Sequence, residues 1–120
     1  MSRILIVDDD KDITGPLKVG LEQHGFSVDT YNDPKAALAK YEVGRYGLTI
    51  VDIRMPEMNG FELFRELKKK DSNAKVCFLT AFDMYIPEFK KLFPNMKVEG
   101  FLTKPISISR LASEIKTITG

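Results

Sequence analysis

The chain has one cysteine, one histidine and no long apolar run, and each shortage removes a class of function. Cys77 has no partner for an internal disulfide, and its place in Val76-Cys77-Phe78-Leu79 marks a buried, inert thiol. That suits a reducing cytoplasm. A lone His24 cannot assemble a histidine metal cluster; beside Gly25 it stands where a helix C-terminus favours a cation. The N-terminal stretch Ile4-Leu5-Ile6-Val7 is only four residues of apolar sequence, too few for a signal peptide or a membrane span. Charge of neither sign dominates: 18 basic residues face 17 acidic ones, a net charge of +1. No bulk attraction to nucleic acid or to a membrane surface follows. Repeats, low-complexity segments and linkers are missing as well.

What is there is a chain of 120 residues, 43% of them hydrophobic. That is enough for one domain that hides roughly two-thirds of its unfolded surface. Short apolar runs alternate with longer segments of helical periodicity, the pattern of βα units around a mostly parallel sheet. Strands are expected at Ile4–Val7, Ser27–Tyr31, Leu48–Val51, Lys75–Leu79 and Val98–Leu102. The first, third and fourth are almost wholly apolar, as strands covered on both faces should be, whereas Ser27–Tyr31 alternates and suits an edge.

Helices are expected at about Ile13–His24, Pro34–Tyr41, Gly60–Lys70, Pro87–Phe93 and Ile106–Ile118. Asp33-Pro34 reads as an N-cap followed by proline at the first helical position, and Asn59 as the cap of the third helix. Thr14-Gly15-Pro16 should make the first helix start late or bend, because proline removes a hydrogen bond and glycine adds backbone entropy. Phe89, Leu92 and Phe93 form the expected apolar face of the short fourth helix. Five alternations imply a single-domain, doubly wound (βα)5 α/β sandwich with helices on both faces of the sheet.

Polar exceptions cluster where strands end. Asp8, Asp9 and Asp10 run directly off the first strand, Asp52 closes the third, Thr80 closes the fourth, and Lys104 follows the fifth. Adjacent carboxylates repel, so something positive is expected among them. Right-handed crossovers bring these ends to one edge, where open α/β sheets bind ligands. Asp8, Asp9 and Asp52 offer the hard oxygen atoms that Mg²⁺ favours, leaving a carboxylate oxygen able to attack a phosphoryl group while Lys104 and Thr80 attend to the transferred oxygens. Asp10 reads more simply as the cap of the first helix.

Four segments carry a resemblance: I-L-I-V-D-D-D at residues 4–10, V-D-I-R-M-P-E-M-N-G at 51–60, L-T-A at 79–81 and F-L-T-K-P at 101–105. In this order and spacing they make the chain resemble, over essentially its full length, a receiver domain of the two-component response regulators, the CheY-like superfamily. The resemblance implies a flavodoxin-like sheet of strand order 2-1-3-4-5. It implies that Asp52 is the phosphoacceptor, and that Asp8 and Asp9, with Asp52 and the backbone carbonyl of Arg54, hold Mg²⁺. Thr80 becomes the switch hydroxyl, Phe101 the aromatic ring that follows it, and Lys104 the phosphate-binding cation, joined to Pro105 by a cis peptide. A sensor histidine kinase or phosphotransfer protein would be the donor, a downstream effector the reader of the face built from the fourth helix, fifth strand and fifth helix, and a homodimer formed on phosphorylation a further partner.

The sequence departs from the family pattern in three places. Phe101 stands where tyrosine is common, Gly47 replaces a frequently acidic residue, and the interval from Thr80 to Lys104 is a residue or two long, with four aromatics (Phe82, Tyr85, Phe89 and Phe93) before Pro94. Those changes leave room for a second reading, a pseudo-receiver that binds a partner without phosphorylation. A flavodoxin-type redox carrier is disfavoured, because three acids after the first strand would repel a flavin phosphate. No output domain is in view within residues 1–120, so the chain is expected to be a stand-alone regulator or an excised piece of one.

Overall fold

The computed structural model of the protein describes residues 3–81 and 85–120. In chain order the elements are β1 (Arg3–Val7), α1 (Lys11–Gln23), β2 (Ser27–Tyr31), α2 (Pro34–Lys40), β3 (Leu48–Val51), α3 (Gly60–Lys70), β4 (Val76–Thr80), α4 (Tyr85–Leu92), β5 (Gly100–Thr103) and α5 (Ile108–Thr119). The strands form one parallel sheet of order β2-β1-β3-β4-β5. This is the doubly wound, flavodoxin-like α/β fold expected from the alternation and the resemblance.

Because side chains alternate across a strand, each strand feeds two cores. Ile4 and Ile6 of β1, with Leu48 and Ile50 of β3, face Leu17 and Leu21 of α1 and Leu111 and Ile115 of α5. Leu5, Val7 and Val51 face the other way, toward α2, α3 and Phe89 of α4. The second core is unusually aromatic: Phe61, Phe64, Phe78, Phe89, Phe93 and Phe101 pack with centroid separations of 5.2 to 6.3 Å, mostly tilted or edge to face. Cys77 is buried in the first core, and its thiol is pushed up to about 12, first of all by desolvation.

Several boundaries differ from the sequence expectation for definable reasons. Helix α1 starts at Lys11, earlier than Ile13 and despite Pro16 inside it. Asp10 is responsible: its side chain accepts from the Asp12 amide and its carbonyl from the amides of Ile13 and Thr14. The carbonyl that Pro16 cannot serve is that of Asp12, an exposed residue in the first turn, so the missing bond is open to solvent and costs little. Strand β5 begins at Gly100, not Val98; just before it, Glu99 is tied to the start of β4 twice, its amide donating to the Val76 carbonyl and its Oε1 accepting from the Val76 amide, both at 2.8 Å. Helix α5 begins at Ile108, after the Ser107 hydroxyl that accepts from the Arg110 amide.

Helix α4 runs from Tyr85 to Leu92, with Pro87 in its first turn, where a missing amide hydrogen costs little. Leu92 is 56% exposed, contrary to its assignment to the apolar face. The helix rotates so that Phe89 and Phe93, one turn apart, enter the aromatic core, and Leu92 is turned away. Phe82 and the side chain of Tyr85, assigned to the partner region, lie outside the described residues.

Candidate functional site

The strand order places the ends of β1 and β3 side by side, with β4 and β5 following. The Asp52 amide donates to the Val7 carbonyl at 3.0 Å, and the Lys104 amide to the Thr80 carbonyl at 2.8 Å. These bonds continue the sheet by one residue past its regular ladder. They hold Asp8, Asp52, Thr80 and Lys104 on a single edge.

Asp8, Asp52 and Thr80 are buried, while Asp9 is exposed. One carboxylate oxygen from each of Asp8, Asp9 and Asp52 lies within 4.8 Å of the others. Lys104 Nζ bonds Asp8 Oδ2 at 2.7 Å and lies 3.6 Å from Asp52 Oδ1. The other oxygen of Asp8 accepts from the Asp10 amide at 3.0 Å. Burial and, after it, the charge of Asp8 push the Asp52 carboxyl up to about 6, although Lys104 and the Ile53 amide pull the other way. Three hard oxygen donors around one point fit a divalent cation of the Mg²⁺ type.

Arg54 is exposed in the loop after β3, two residues beyond Asp52. A cleft of about 480 Å³, lined by Ile53, Arg54, Met55, Pro56, Asn59, Phe61 and Glu88, opens beside that loop. Phe101 is half-buried on β5, opposite Phe78 in the ladder; the rings stack at 5.3 Å, and Phe89 meets Phe101 edge-on at 5.4 Å. The peptide between Lys104 and Pro105 is cis.

Asp10 is set apart from the cluster as the cap of α1. Two residues that the sequence reading did not assign to the site bear on it. Gly60, the first residue of α3, packs so closely that a Cβ there would stand 2.3 Å from the Asp52 carbonyl oxygen, and its amide donates to the Ile53 carbonyl at 2.8 Å. Its position at the end of the V-D-I-R-M-P-E-M-N-G segment was the available signal. Asn32, after β2, donates a side-chain hydrogen bond to the Asp8 carbonyl at 2.8 Å, a contact with no local sequence mark.

Comparisons with known proteins bear on the family and the fold. The family described as the response regulator receiver domain matches residues 4–116. Among curated proteins, the chain is 37% identical to a CpxR homologue of Haemophilus influenzae over 98% of its own length and 50% of that protein's. It is 30% identical to the transcriptional regulatory protein PcoR of Escherichia coli, over 98% and 51% of the two chains. The chain therefore spans about half the length of these relatives. Among solved structures, the response regulator TrrA of Thermotoga maritima, in complex with Mg²⁺ and BeF, is 33% identical, with a TM-score of 0.84 and 98% and 99% of the two chains covered. The chemotaxis protein CheY4 of Vibrio cholerae is 28% identical, with a TM-score of 0.87 and 98% of each chain covered.

Proposed function

The chain belongs to the response regulator receiver domains, and on that premise we propose that it is a signalling switch set by phosphorylation of Asp52. The reading is carried by one observation: the carboxylates of Asp8, Asp9 and Asp52 converge within 4.8 Å, with Lys104 reaching two of them. Asp8 and Asp9, with Asp52 and the Arg54 carbonyl, would hold Mg²⁺. The ion would supply positive charge to the transferred phosphoryl oxygens.

In the transfer, an Asp52 carboxylate oxygen forms a bond to phosphorus as the bond from phosphorus to the donor's imidazole nitrogen breaks. The electron pair of the broken bond stays on that ring nitrogen, and the product is an acyl phosphate. Lys104 is placed to neutralise the phosphoryl oxygens, and the Thr80 hydroxyl, at the end of the adjacent strand, to hydrogen-bond them. The chain would catalyse only its own phosphorylation and dephosphorylation. Its partners would be a phosphohistidine donor in the cytoplasm, a sensor kinase or phosphotransfer protein, and an effector that reads the face formed by α4, β5 and α5. Phe101, stacked on Phe78 at that face, would couple the site to it through packing, since its ring has no hydroxyl.

The test is to incubate the protein with Mg²⁺ and acetyl phosphate and weigh it intact beside Asp52→Asn. One added phosphoryl group, absent with EDTA and absent in the variant, is expected. No adduct on a folded protein that also fails to bind beryllofluoride would overturn the reading in favour of a phosphorylation-independent binding module.

A further inference from the structure

Asp8 is pinned through its backbone as well as its side chain. Its amide donates to the Tyr31 carbonyl at 3.1 Å, and its carbonyl accepts from Asn32 Nδ2 at 2.8 Å. The same Asn32 nitrogen donates its second hydrogen to Thr14 Oγ1 in α1, at 2.9 Å. Thr14 is only 3% exposed, and its amide donates to the Asp10 carbonyl. The Asp10 amide in turn donates to Asp8 Oδ1. The bonds close a ring through Asp8, Asn32, Thr14 and Asp10.

We propose that Asn32 is a positioning residue for the acid cluster, fixing the angle at which Asp8 and Asp9 present their carboxylates. The proposal rests on the reading of Asp8, Asp9 and Asp52 as a cation site. A peptide unit is planar, so the bond to the Asp8 carbonyl sets the orientation of the whole unit that joins Asp8 to Asp9. Those are two of the three converging acids. A carbonyl at this point has left the regular ladder of β1, and a buried one needs a donor. Asn32 supplies it from the next strand's end, and Thr14 holds the carboxamide in place from the opposite side. The alternative duty for a polar residue at the start of a helix, capping, is already taken: Asp33 caps α2, accepting from the Lys35 amide. Both carboxamide hydrogens are therefore used on the wall of the acid site.

The experiment is a calorimetric titration with Mg²⁺ alone, at a temperature well below unfolding, on wild type, Asn32→Ala, Thr14→Ser, Thr14→Val and Asp9→Asn, each checked for fold by circular dichroism. Substitutions behind metal ligands weaken binding by about tenfold or more, so Asn32→Ala should raise the Mg²⁺ Kd by about that factor. Thr14→Ser keeps the acceptor and should match wild type, whereas Thr14→Val loses it and should shift Kd in the same direction as Asn32→Ala. An unchanged Kd in folded Asn32→Ala, beside a loss in Asp9→Asn, overturns the positioning role and leaves the cation site standing. Absence of Mg²⁺ binding in the wild type overturns the cation site and this inference with it. Should Asn32→Ala not fold, Thr14→Val against Thr14→Ser decides: equal Kd values for the two overturn the proposal.

Discussion

The Tyr41 hydroxyl donates to Asp71 Oδ2 at 3.0 Å, tying the residue that ends α2 to the residue that ends α3. Both side chains are buried, and the second Asp71 oxygen accepts from the Asn73 amide. The bond spans two helices on the same face of the sheet.

A hydrogen bond to a charged acceptor contributes about 2 kcal/mol, so Tyr41→Phe should lower stability by about that much in urea unfolding at pH 7. Burial, and then Asp71, raise the phenol's pKa well above its ordinary value. A raised folded-state pKa means that the contribution is complete below the unfolded value of about 10 and is lost as pH climbs past it. The gap between wild type and Tyr41→Phe should therefore narrow in alkaline urea titrations above about pH 10.

Lys104 occupies, with its ammonium, the charge deficit that a divalent ion would fill. Lys104→Met should consequently move two measurements in opposite directions. The metal-free protein should melt at a lower temperature, since Asp8 loses its partner. Mg²⁺ should bind more tightly, by roughly fivefold, the equivalent of about 1 kcal/mol. Phosphoryl uptake from acetyl phosphate should nonetheless slow, because the cation proposed to meet the phosphoryl oxygens is gone.

Asp52→Asn removes a carboxylate whose pKa is raised to about 6 by burial and by Asp8. Such a group is tolerated when protonated and costs stability as pH rises through 6. In EDTA at pH 7.5 the variant should be more stable than wild type by about 1 kcal/mol, allowing for the water that reaches this edge. Below about pH 4, where Asp52 is protonated in both states, the difference should vanish. Thermal melts across that range give the comparison.

Gly60→Ala inserts a methyl against the Asp52 carbonyl. The loop after β3 would have to shift, at a cost of about 3 kcal/mol. Even the fraction that folds should accept phosphoryl groups more slowly, since the displaced atoms belong to the backbone of Asp52, the proposed nucleophile. Gly15, with open space around it, offers the control: Ala there should be tolerated and, inside a helix, mildly stabilising.

The sheet and its edge could be read from the sequence because both rest on residues with strong local marks. Continuous apolar strands such as Leu48–Val51 admit few alternatives, and Asp8, Asp52, Thr80 and Lys104 stand at strand ends where polarity is conspicuous. Boundaries that depend on a distant partner were not legible. Nothing near Val98 signals that the carboxylate of Glu99 will take the amide of Val76, 23 residues away. Leu92 has the spacing of a core residue, and only the rotation of α4 around Phe89 and Phe93 turns it to solvent. Asn32 was invisible for the same reason: its partners lie 24 and 18 residues earlier in the chain.

The two residues that balance charge at the centre of the edge, Asp8 and Lys104, are 96 positions apart. A ribosome making this chain releases all three acids first and the lysine last. Until residue 104 emerges these acids lack the lysine that meets them in the folded chain, and β4, the neighbour on which β5 assembles, also waits with one side unpaired. Parallel pairing between distant segments is slow to form. A chain broken off before residue 100 would lack both β5 and Lys104, leaving the β4 edge unpaired and Asp8 without its ammonium partner.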